Sequence, residues 1–527
     1  VDKLFASWDR TNSPGCALAV IQDGRIIYKN GYGMVNLEHE ITIKPTSVFY
    51  IASTSQQFAA TCIALLAEDG KLDLDDDVRE YVPELPVYEH PITIRHLIHH
   101  TSGLRDYLTL HSISGKLSDE LITDEDALDS ICRQKALNFR PGEEYLYCNS
   151  GYFLLSVIVK RVSGKSMRQF GKENIFTPLG MNNTHFHDDH TELILNRATA
   201  YSPSENGAYQ INIPGLETVG SGGIYSTVED LYLWDQNFYD NKLGRGGKDL
   251  IEQLQIKGIL NNGEELDYAS GLSVVDYKGL KKIGHSGGYG GYSAEFIQFP
   301  EKLFSVICLS NCQTLRAPVL ALQVADIFLD GHFPDKTEEK IENEMEIKLS
   351  EESLASKAGL YQSFSSDQVA ELIFEDGKLK ITLFSLCIAL KPLQENRFRS
   401  CNAPFELELE FEKTNGDGDW ILHTNAQGMK PDEFIKFEQV IPSEDEMNSF
   451  VGEYSSDELG VIGRIYLEAN VTFLKLGRHR TQIKSGKKDM FFGETGNLYM
   501  IRDSDSDITG FSINAGRVRD ILFERIK

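Results

Sequence analysis

The chain has 527 residues and a formal net charge of −27, from 52 lysine and arginine against 79 aspartate and glutamate residues. At about 150 residues per domain, this length suggests three or four domains. The acidic balance excludes a nucleic-acid partner, because such a protein needs a cationic surface to displace counterions from phosphate. No apolar run approaches the ~18 residues that span a bilayer, so we expect no membrane span.

The eight cysteines are dispersed along the chain, and no pair forms a CxxC motif. This usage predicts free thiols rather than a disulfide framework, and it favours a reducing, cytoplasmic compartment. The printed sequence begins at Val1 rather than at a methionine. A removed leader, and with it a periplasmic or secreted location, therefore stays an alternative.

In chain order, the first part of the sequence alternates strands and helices. The pattern predicts a hairpin around Asp23-Gly24, helices over residues 57–70, 152–164 and from a Ser226/Thr227 cap onward, two strands joined by a Pro-Glu turn over 293–312, and a closing helix over 318–331. Strands at both ends with helices between them predict one α/β sandwich, an antiparallel sheet flanked by helices, over residues 1–331.

The composition changes after this segment. Residues 332–350 are charged and contain proline, which is typical of a linker. Short alternating runs then dominate, and the Gly-x-Tyr-x-Ser pattern that begins at Gly359 recurs 93 residues later at Gly452. We interpret residues 351–442 and 443–527 as two copies of one antiparallel, lipocalin-like β-barrel domain.

Three separated clusters could carry chemistry. Ser53 lies just before the first long helix, where the positive helix end favours a developing oxyanion. Tyr147 and Asn149 stand two residues apart before another helix, and His285-Ser286-Gly287-Gly288 lies on or beside a strand. Each cluster alone is weak, since a serine at a helix start is most often only a cap.

Together, the order and spacing of these clusters resemble the serine penicillin-recognising family of class C β-lactamases, DD-peptidases, related esterases and D-aminopeptidases. That family has S-x-x-K, then Y-x-N, then K-T-G or H-x-G. Further matching segments are GKLDLDDDV (70–78), ITIRHLIHHTSGL (92–104), IFTPLGMNNT (175–184) and GSGGIYSTVEDL (220–231). With its two trailing barrels, the chain looks like a three-domain D-aminopeptidase of this family.

The resemblance implies a β-lactamase-like catalytic domain and a role for each matching residue. Ser53 would be the acylated nucleophile, Tyr147 the proton shuttle and Asn149 the residue that positions the substrate amide. His285 and Gly287 would line the site opposite Ser53. The backbone N–H groups of Ser53 and Gly288 would form the oxyanion hole. No cofactor or metal is implied.

The chain departs from the family motif at one position, because the S-x-x-K lysine is replaced by Gln56. Residues 53 and 56 share a helix face, so a lysine there could accept the serine proton, whereas an amide cannot titrate. The shuttle suffers too, since a phenol titrates near ~10 unless an adjacent cation lowers its pKa. We expect slow acylation. An inactivating change made to capture a complex and a natural loss both stay open.

The expected substrate is a small peptide, amide or ester, most plausibly a D-amino-acid peptide or amide. His285 lacks the permanent charge with which the K-T-G lysine holds a substrate carboxylate, and the acidic chain attracts cationic substrates. The alternatives are a carboxylesterase or weak β-lactamase, and an inactive pseudoenzyme that binds peptides or peptidoglycan fragments. A homo-oligomer is left open. HFHDDH (His185–His190) is interpreted as a solvated loop rather than a metal site.

Overall fold

The computed structural model describes residues 1–116, 120–204, 207–333, 347–383, 386–401, 407–414, 420–426 and 431–526. The chain divides into two compact units, Val1–Tyr107 with Ser118–Thr337 and Leu108–Leu117 with Glu338–Lys527. The predicted linker, 332–350, lies outside the described residues between 334 and 346. The proposed domain boundaries stay a prediction.

The strands of the first unit alternate with its helices along the chain. In order they are β1 (Cys16–Gln22), β2 (Arg25–Tyr32), β3 (Met34–Asn36), β4 (Ile41–Thr42), β5 (Phe49–Tyr50), β6 (His185–Phe186), β7 (Ala200–Pro203), β8 (Tyr209–Asn212), β9 (Ile224–Ser226), β10 (Ser273–Tyr277), β11 (Leu280–Tyr289), β12 (Tyr292–Phe299) and β13 (Phe304–Ser310). The hairpin at Asp23-Gly24 and the strand pair around Pro300 are confirmed.

The helices up to residue 328 are α1 (Asp2–Phe5), α2 (Gln56–Glu68), α3 (Ile94–Ile98), α4 (Tyr107–Ile113), α5 (Asp124–Cys132), α6 (Asn149–Ser163), α7 (Met167–Gly171), α8 (Thr177–Leu179), α9 (Val228–Asn237), α10 (Asp249–Leu254) and α11 (Ala317–Phe328). The four predicted helices are confirmed as α2, α6, α9 and α11. Thr227 caps α9 by accepting from the Asp230 N–H, and Gly164 ends α6 in the left-handed conformation.

The main sheet of the first unit is antiparallel, in the order β10-β11-β12-β13-β1-β2. Every residue of β1 except the last is buried, because helices cover both faces of this central strand. α11 packs on one face, where Leu320 and Val324 share a core with Leu18 and Val306. α9 packs on β1 and β13 as well. The predicted α/β fold with an antiparallel sheet is confirmed.

A small sheet in the order β5-β9-β6 lies apart from the main sheet in hydrogen bonding. The interpretation of HFHDDH as a solvated loop is wrong for its first half and holds for Asp189 and His190, which are exposed. His185 and Phe186 form β6, and His187 donates its backbone N–H to the Gly223 carbonyl. The ring of His187 packs edge-on against those of His185 and Tyr225, and the residue is only 6% exposed.

The second unit contains two closed eight-stranded antiparallel barrels, as predicted. The first has β14 (Gly359–Ser363), β15 (Val369–Glu375), β16 (Lys378–Leu383), β17 (Leu386–Pro392), β18 (Arg397–Cys401), β19 (Leu407–Lys413), β20 (Trp420–Ala426) and β21 (Asp432–Phe437). The second has β22 (Gly452–Ser456), β23 (Val461–Glu468), β24 (Val471–Leu476), β25 (His479–Ser485), β26 (Met490–Gly493), β27 (Gly496–Arg502), β28 (Ile508–Ala515) and β29 (Val518–Arg525). Helices α12 (Glu351–Ser356) and α13 (Glu444–Phe450) precede them.

No helix among the described residues is long and apolar enough to cross a bilayer.

Candidate active site

Ser53 lies in a tight turn between β5 and α2. The turn is a single 3₁₀ segment, Ala52–Ser55, and α2 begins at the next residue, Gln56. Ala52 has φ +46°, in the left-handed region that residues with a side chain rarely adopt. Ser53 is half-buried, whereas Ala52, Thr54 and Ser55 are buried. The turn therefore presents the Ser53 side chain at the amino end of a helix, where negative charge is stabilised.

Strand β11 packs directly against this turn. β10 pairs with β11 only from Leu280 to Gly284, so it leaves the stretch from His285 onward without a strand on that side. The Thr54 hydroxyl instead donates to the His285 carbonyl at 3.1 Å. A Cβ atom on Gly287 would lie 2.1 Å from the Ile51 carbonyl oxygen, so only glycine allows this approach. The predicted HSGG motif and the predicted serine are thus brought together.

The Gln56 side chain is buried in a cradle of oxygen atoms. Its Nε2 donates to the Tyr147 hydroxyl at 2.5 Å and to the Ser221 carbonyl at 3.3 Å. Its Oε1 accepts from the Tyr268 hydroxyl at 2.8 Å. All three surrounding oxygens are able to accept a hydrogen bond. This is the set of partners that an ammonium group, with three donors and no acceptor, would satisfy.

At the neighbouring His285, the hydrogen-bond network has more acceptors than donors. Its Nδ1 lies 2.6 Å from the Ser286 carbonyl, which can only accept, so Nδ1 carries the ring proton and Nε2 is an acceptor. Nε2 lies 2.9 Å from the Tyr268 hydroxyl, whose single proton cannot serve both this nitrogen and Gln56 Oε1. Turning the Gln56 amide over does not help, because its oxygen would then face the Ser221 carbonyl.

Protonation of His285 would supply the missing donor, but the site opposes it. Burial lowers the pKa of His285 to about 4, so the imidazole is neutral at pH 7. The acceptor cradle and the neutral histidine together fit a lysine at residue 56 better than a glutamine. With a lysine, Tyr268 would be free to donate to His285.

Asn149 is the first residue of α6, and it is held by a buried carboxylate. Asp106 Oδ2 accepts from the Asn149 backbone N–H at 2.6 Å and from its side-chain Nδ2 at 2.8 Å. These two bonds fix which end of the amide faces Asp106. Both residues are at least 95% buried, so the orientation of Asn149 is set by the fold.

Gln57, which follows the motif position, is a structural residue. Its Oε1 accepts from the Trp234 indole N–H at 2.6 Å, and its Nε2 donates to the Thr54 carbonyl at 3.0 Å. The side chain is fully buried. Gln57 therefore joins α2 to α9 and holds the Ser53 turn, and its amide cannot titrate.

The sequence assigns no site role to four residues found here: Ser221, Tyr268, Asp106 and His100. Ser221 and His100 lie in the family-like segments 220–231 and 92–104, but that resemblance indicates no role for either. His100 packs on Tyr147 with ring centroids 4.2 Å apart, and its Nδ1 accepts from the Cys148 N–H. Tyr268 lies in a loop without a motif, and this loop approaches the site closely at Gly271, which packs against the Gln56–Gln57 backbone.

A family model described as Beta-lactamase matches residues 1–327, more than half of the 527-residue chain. The chain therefore belongs to the β-lactamase family, and the resemblance found in the motifs is confirmed. It is a β-lactamase-like serine hydrolase by family, with a catalytic α/β fold followed by two β-barrels.

Individual proteins of this family show which members the chain is similar to. Penicillin-binding protein 4* of Bacillus subtilis is 33% identical over 315 residues, which span 56% of this chain and 68% of that protein. A D-aminopeptidase of Gluconobacter oxydans is 27% identical over 319 residues, 59% of each chain. An octameric penicillin-binding protein homologue from Pyrococcus abyssi superposes with a TM-score of 0.57 and 25% identity, over 80% of this chain and 96% of that one. The match thus spans about three-fifths of the D-aminopeptidase's length.

Proposed function

We propose that this chain is a serine acyl-transfer hydrolase of D-amino-acid peptides or amides, and that Gln56 makes the printed sequence slow at acylation. The observation that carries the proposal is the cradle around residue 56. Three acceptor oxygens, from Tyr147, Ser221 and Tyr268, surround a side chain that has only one donor group. Such a cradle suits the lysine of an acyl-transfer site, because an ammonium group donates to all three oxygens.

In the proposed mechanism, Ser53 Oγ attacks the scissile carbonyl, and the serine proton passes to Tyr147, which Gln56 contacts directly. The C–N or C–O bond of the substrate then breaks, the amine or alcohol leaves with that proton, and the acyl group stays on Ser53. Water hydrolyses the acyl-enzyme, which releases the carboxylic acid and returns the proton to Ser53. The backbone N–H groups of Ser53 and Gly288 hold the oxyanion, and Asn149 positions the substrate amide. With a lysine at residue 56, the cation beside Tyr147 would favour the phenolate as it forms.

Two electrostatic properties support the proposed substrate class, one of His285 and one of the whole chain. His285 is neutral at pH 7, because burial lowers its pKa to about 4, so it offers no cation for a substrate carboxylate. The net charge of −27 instead attracts substrates with a free amine. Both properties favour aminopeptidase or amidase chemistry over penicillin hydrolysis. The D-aminopeptidase relative of Gluconobacter oxydans supports the same direction.

A pseudoenzyme that binds peptides without turnover is the second candidate. It is favoured by the complete hydrogen bonding of the Gln56 amide, which makes three contacts within the cradle. A carboxylesterase or a weak β-lactamase would share the acyl-enzyme and differ only in substrate. One experiment separates these readings.

The test is the Gln56→Lys variant, assayed against D- and L-aminoacyl p-nitroanilides, p-nitrophenyl esters and nitrocefin. We expect kcat on the D-aminoacyl substrates to rise by about 10²–10⁴, the usual worth of a positioned general base, with KM little changed. Gln56→Met is the matched control, because it keeps the length of the side chain but supplies no charge. Adding Ser53→Ala to the Gln56→Lys variant should abolish the gain.

Other outcomes are equally informative. A gain confined to esters or to nitrocefin would replace the peptidase assignment with the esterase or β-lactamase alternative. If Gln56→Lys binds peptides and gains no turnover on any substrate, the hydrolase proposal is wrong and the pseudoenzyme stands.

The sequence leaves a homo-oligomer open, and one solved neighbour supports testing it. The solved neighbour from Pyrococcus abyssi is described as octameric, and mass photometry of the purified chain tests whether this protein assembles.

A further inference from the structure

We propose that His185, His187 and Glu192 form a binding site for one divalent transition metal ion of the zinc class. The site belongs to the small β5-β9-β6 sheet of the first unit and is separate from the residues around Gln56. It does not depend on the proposed hydrolase activity.

The three residues converge because of their local structure. His185 and His187 are two residues apart on one extended segment, so their side chains lie on the same face. Glu192 ends a turn in which its backbone N–H donates to the Asp189 carbonyl. One possible ligand atom of each residue lies within 4.8 Å of the other two.

Three buried polar atoms of this group lack a hydrogen bond. Within the part of the chain that the structure describes, no hydrogen-bond partner reaches His185 Nε2, His187 Nδ1 or Glu192 Oε2. The His187 side chain is 94% buried, at 6% exposure. Glu192 Oε2 still has an ion-pair contact with Arg168, but the two histidine nitrogens have no such contact at hydrogen-bond distance. Because buried polar atoms are almost always satisfied in proteins, these two adjacent exceptions indicate a missing ligand.

The spacing of these atoms fits a metal ion better than a direct contact. His187 Nδ1 lies 3.6 Å from Glu192 Oε2, which is too long for a hydrogen bond. Two ligands bound at zinc distances in a tetrahedral site are about 3.4 Å apart. Two imidazoles with one carboxylate form a zinc or iron ligand set, whereas calcium and magnesium prefer oxygen ligands.

Arg168 is the charged neighbour that competes for Glu192. Its guanidinium donates to Glu192 Oε1 and to Asp188, and it also lies 2.7 Å from Glu192 Oε2 without hydrogen-bond geometry. Arg168 therefore forms an ion pair with both carboxylate oxygens, and a bound ion would share Oε2 with the guanidinium. As an outer partner it would orient Glu192, the usual role of groups that hydrogen-bond a metal ligand.

The bound ion would act as a structural clamp. β6 pairs with β9, and β9 pairs with β5, which leads directly into the Ser53 turn. Tying the Glu192 turn to β6 would therefore stabilise the first unit. At 100-fold excess over Kd, ligand binding should raise the midpoint of thermal unfolding by about 4 °C or more.

The experiment uses the full chain, stripped with chelator and titrated with Zn²⁺ and, separately, Co²⁺. We expect mass spectrometry of the dialysed protein to find one equivalent of Zn²⁺, and Zn²⁺ to raise the midpoint of thermal unfolding as stated above. With Co²⁺, we expect the absorption bands of a cobalt ion bound by nitrogen and oxygen, without the charge-transfer band of a thiolate ligand. The last readout excludes binding by the eight free cysteines. His187→Gln and Glu192→Gln should each weaken binding at least about tenfold.

The matched control is His190→Gln, in the same loop. His190 is half-exposed and pairs with Glu217, in a second group of possible ligands with Asp189. The control should bind Zn²⁺ like the unaltered chain. Failure of the unaltered chain to bind either ion at micromolar concentration overturns the proposal, as does binding that is lost in His190→Gln and kept in His187→Gln. If His187→Gln does not fold, Glu192→Gln and the Co²⁺ spectrum decide.

Discussion

The Gln56 side chain fits the space between Tyr147, Ser221 and Tyr268, but it changes which hydrogen bonds the neighbouring groups can form. The amide finds a partner for each end, so the substitution does not leave the side chain itself unsatisfied. The consequence falls on His285, whose Nε2 loses the Tyr268 proton to Gln56 Oε1. The motif alone predicted that residue 56 would share a helix face with Ser53. It could not predict this competition, since Tyr268 lies more than 200 residues further along the chain.

His99 should make the stability of the first unit depend on pH. Burial lowers its pKa to about 4, against about 6.5 in an unfolded chain. Between these values the unfolded state binds the proton and the folded state does not, so stability is lost as the pH falls from about 6.5 to about 4. His99→Gln should remove on the order of 3 kcal/mol of this loss.

Urea unfolding at pH 7 and pH 4.5 measures the effect. The change in midpoint between the two pH values should be smaller in His99→Gln than in the unaltered chain. His39, which is exposed, provides the control. An equal pH response in the His99 and His39 variants would contradict a buried, neutral His99.

The packing of β11 on the Ser53 turn is the contact between elements that assembles the site. It depends on the end of β10 at the level of Gly284 and on the absence of a side chain at Gly287. The Gly-rich motif predicted a turn or a strand edge. The structure shows why the motif needs glycine at residue 287: β11 approaches the Ser53 turn so closely that the Ile51 carbonyl occupies the space of a Cβ atom.

Two adjacent glycines allow a matched test of this contact. Gly287→Ala places a Cβ atom 2.1 Å from the Ile51 oxygen, whereas the nearest atom to a Cβ on Gly288 is the Gln313 amide at 3.4 Å. Gly287→Ala should therefore lower the free energy of unfolding by about 1–3 kcal/mol. In the Gln56→Lys variant it should also reduce kcat at least about tenfold by displacing the strand.

Gly288→Ala keeps the backbone N–H that is proposed for the oxyanion hole and should change stability by no more than about 0.5 kcal/mol. Thermal unfolding and turnover, measured on both variants, check the pair. Equal effects of the two substitutions would mean that the close approach does not matter.

In the second unit, the two copies of the sequence repeat have the same fold and share a structural detail. Tyr361 and Tyr454 occupy the same position in the first strand of each barrel, and each donates its hydroxyl to the carbonyl four residues earlier.

The core of the second barrel also contains residues from a segment far away in the sequence. Leu110 and Ile113 pack into its core, and the Arg478 N–H donates to the Gly115 carbonyl. Residues 108–117 lie inside the segment that the sequence assigned to the catalytic domain, and no pattern indicated their partner.

Leu110→Ala should loosen a barrel whose strands begin more than 300 residues later. Leu110 is 1% exposed within that core. Removing a buried leucine usually lowers the free energy of unfolding by about 2–5 kcal/mol. Hydrogen exchange should become faster in β24 and β25. Leu121→Ala, at an exposed position, is the control. Unchanged exchange in Leu110→Ala would show that the barrel core does not need this segment.

The sequence by itself determined the elements and the chemistry that local patterns encode. Alternation predicted the hairpins, and helical spacing with caps predicted α2, α6, α9 and α11, since these signals act over a few neighbouring residues. The recurrence of one pattern after 93 residues predicted two barrels, because a repeated sequence folds as a repeated unit. The spacing of the motifs predicted the candidate site residues Ser53, Gln56, Tyr147, Asn149 and His285. Tertiary structure alone decided the partners of residue 56 and the packing of Leu110 and Ile113 into the second barrel, because these contacts join segments far apart in the chain. His185, His187 and Glu192 are close in sequence, but their convergence depends on how the turn between them folds back on β6, which the residue pattern did not predict.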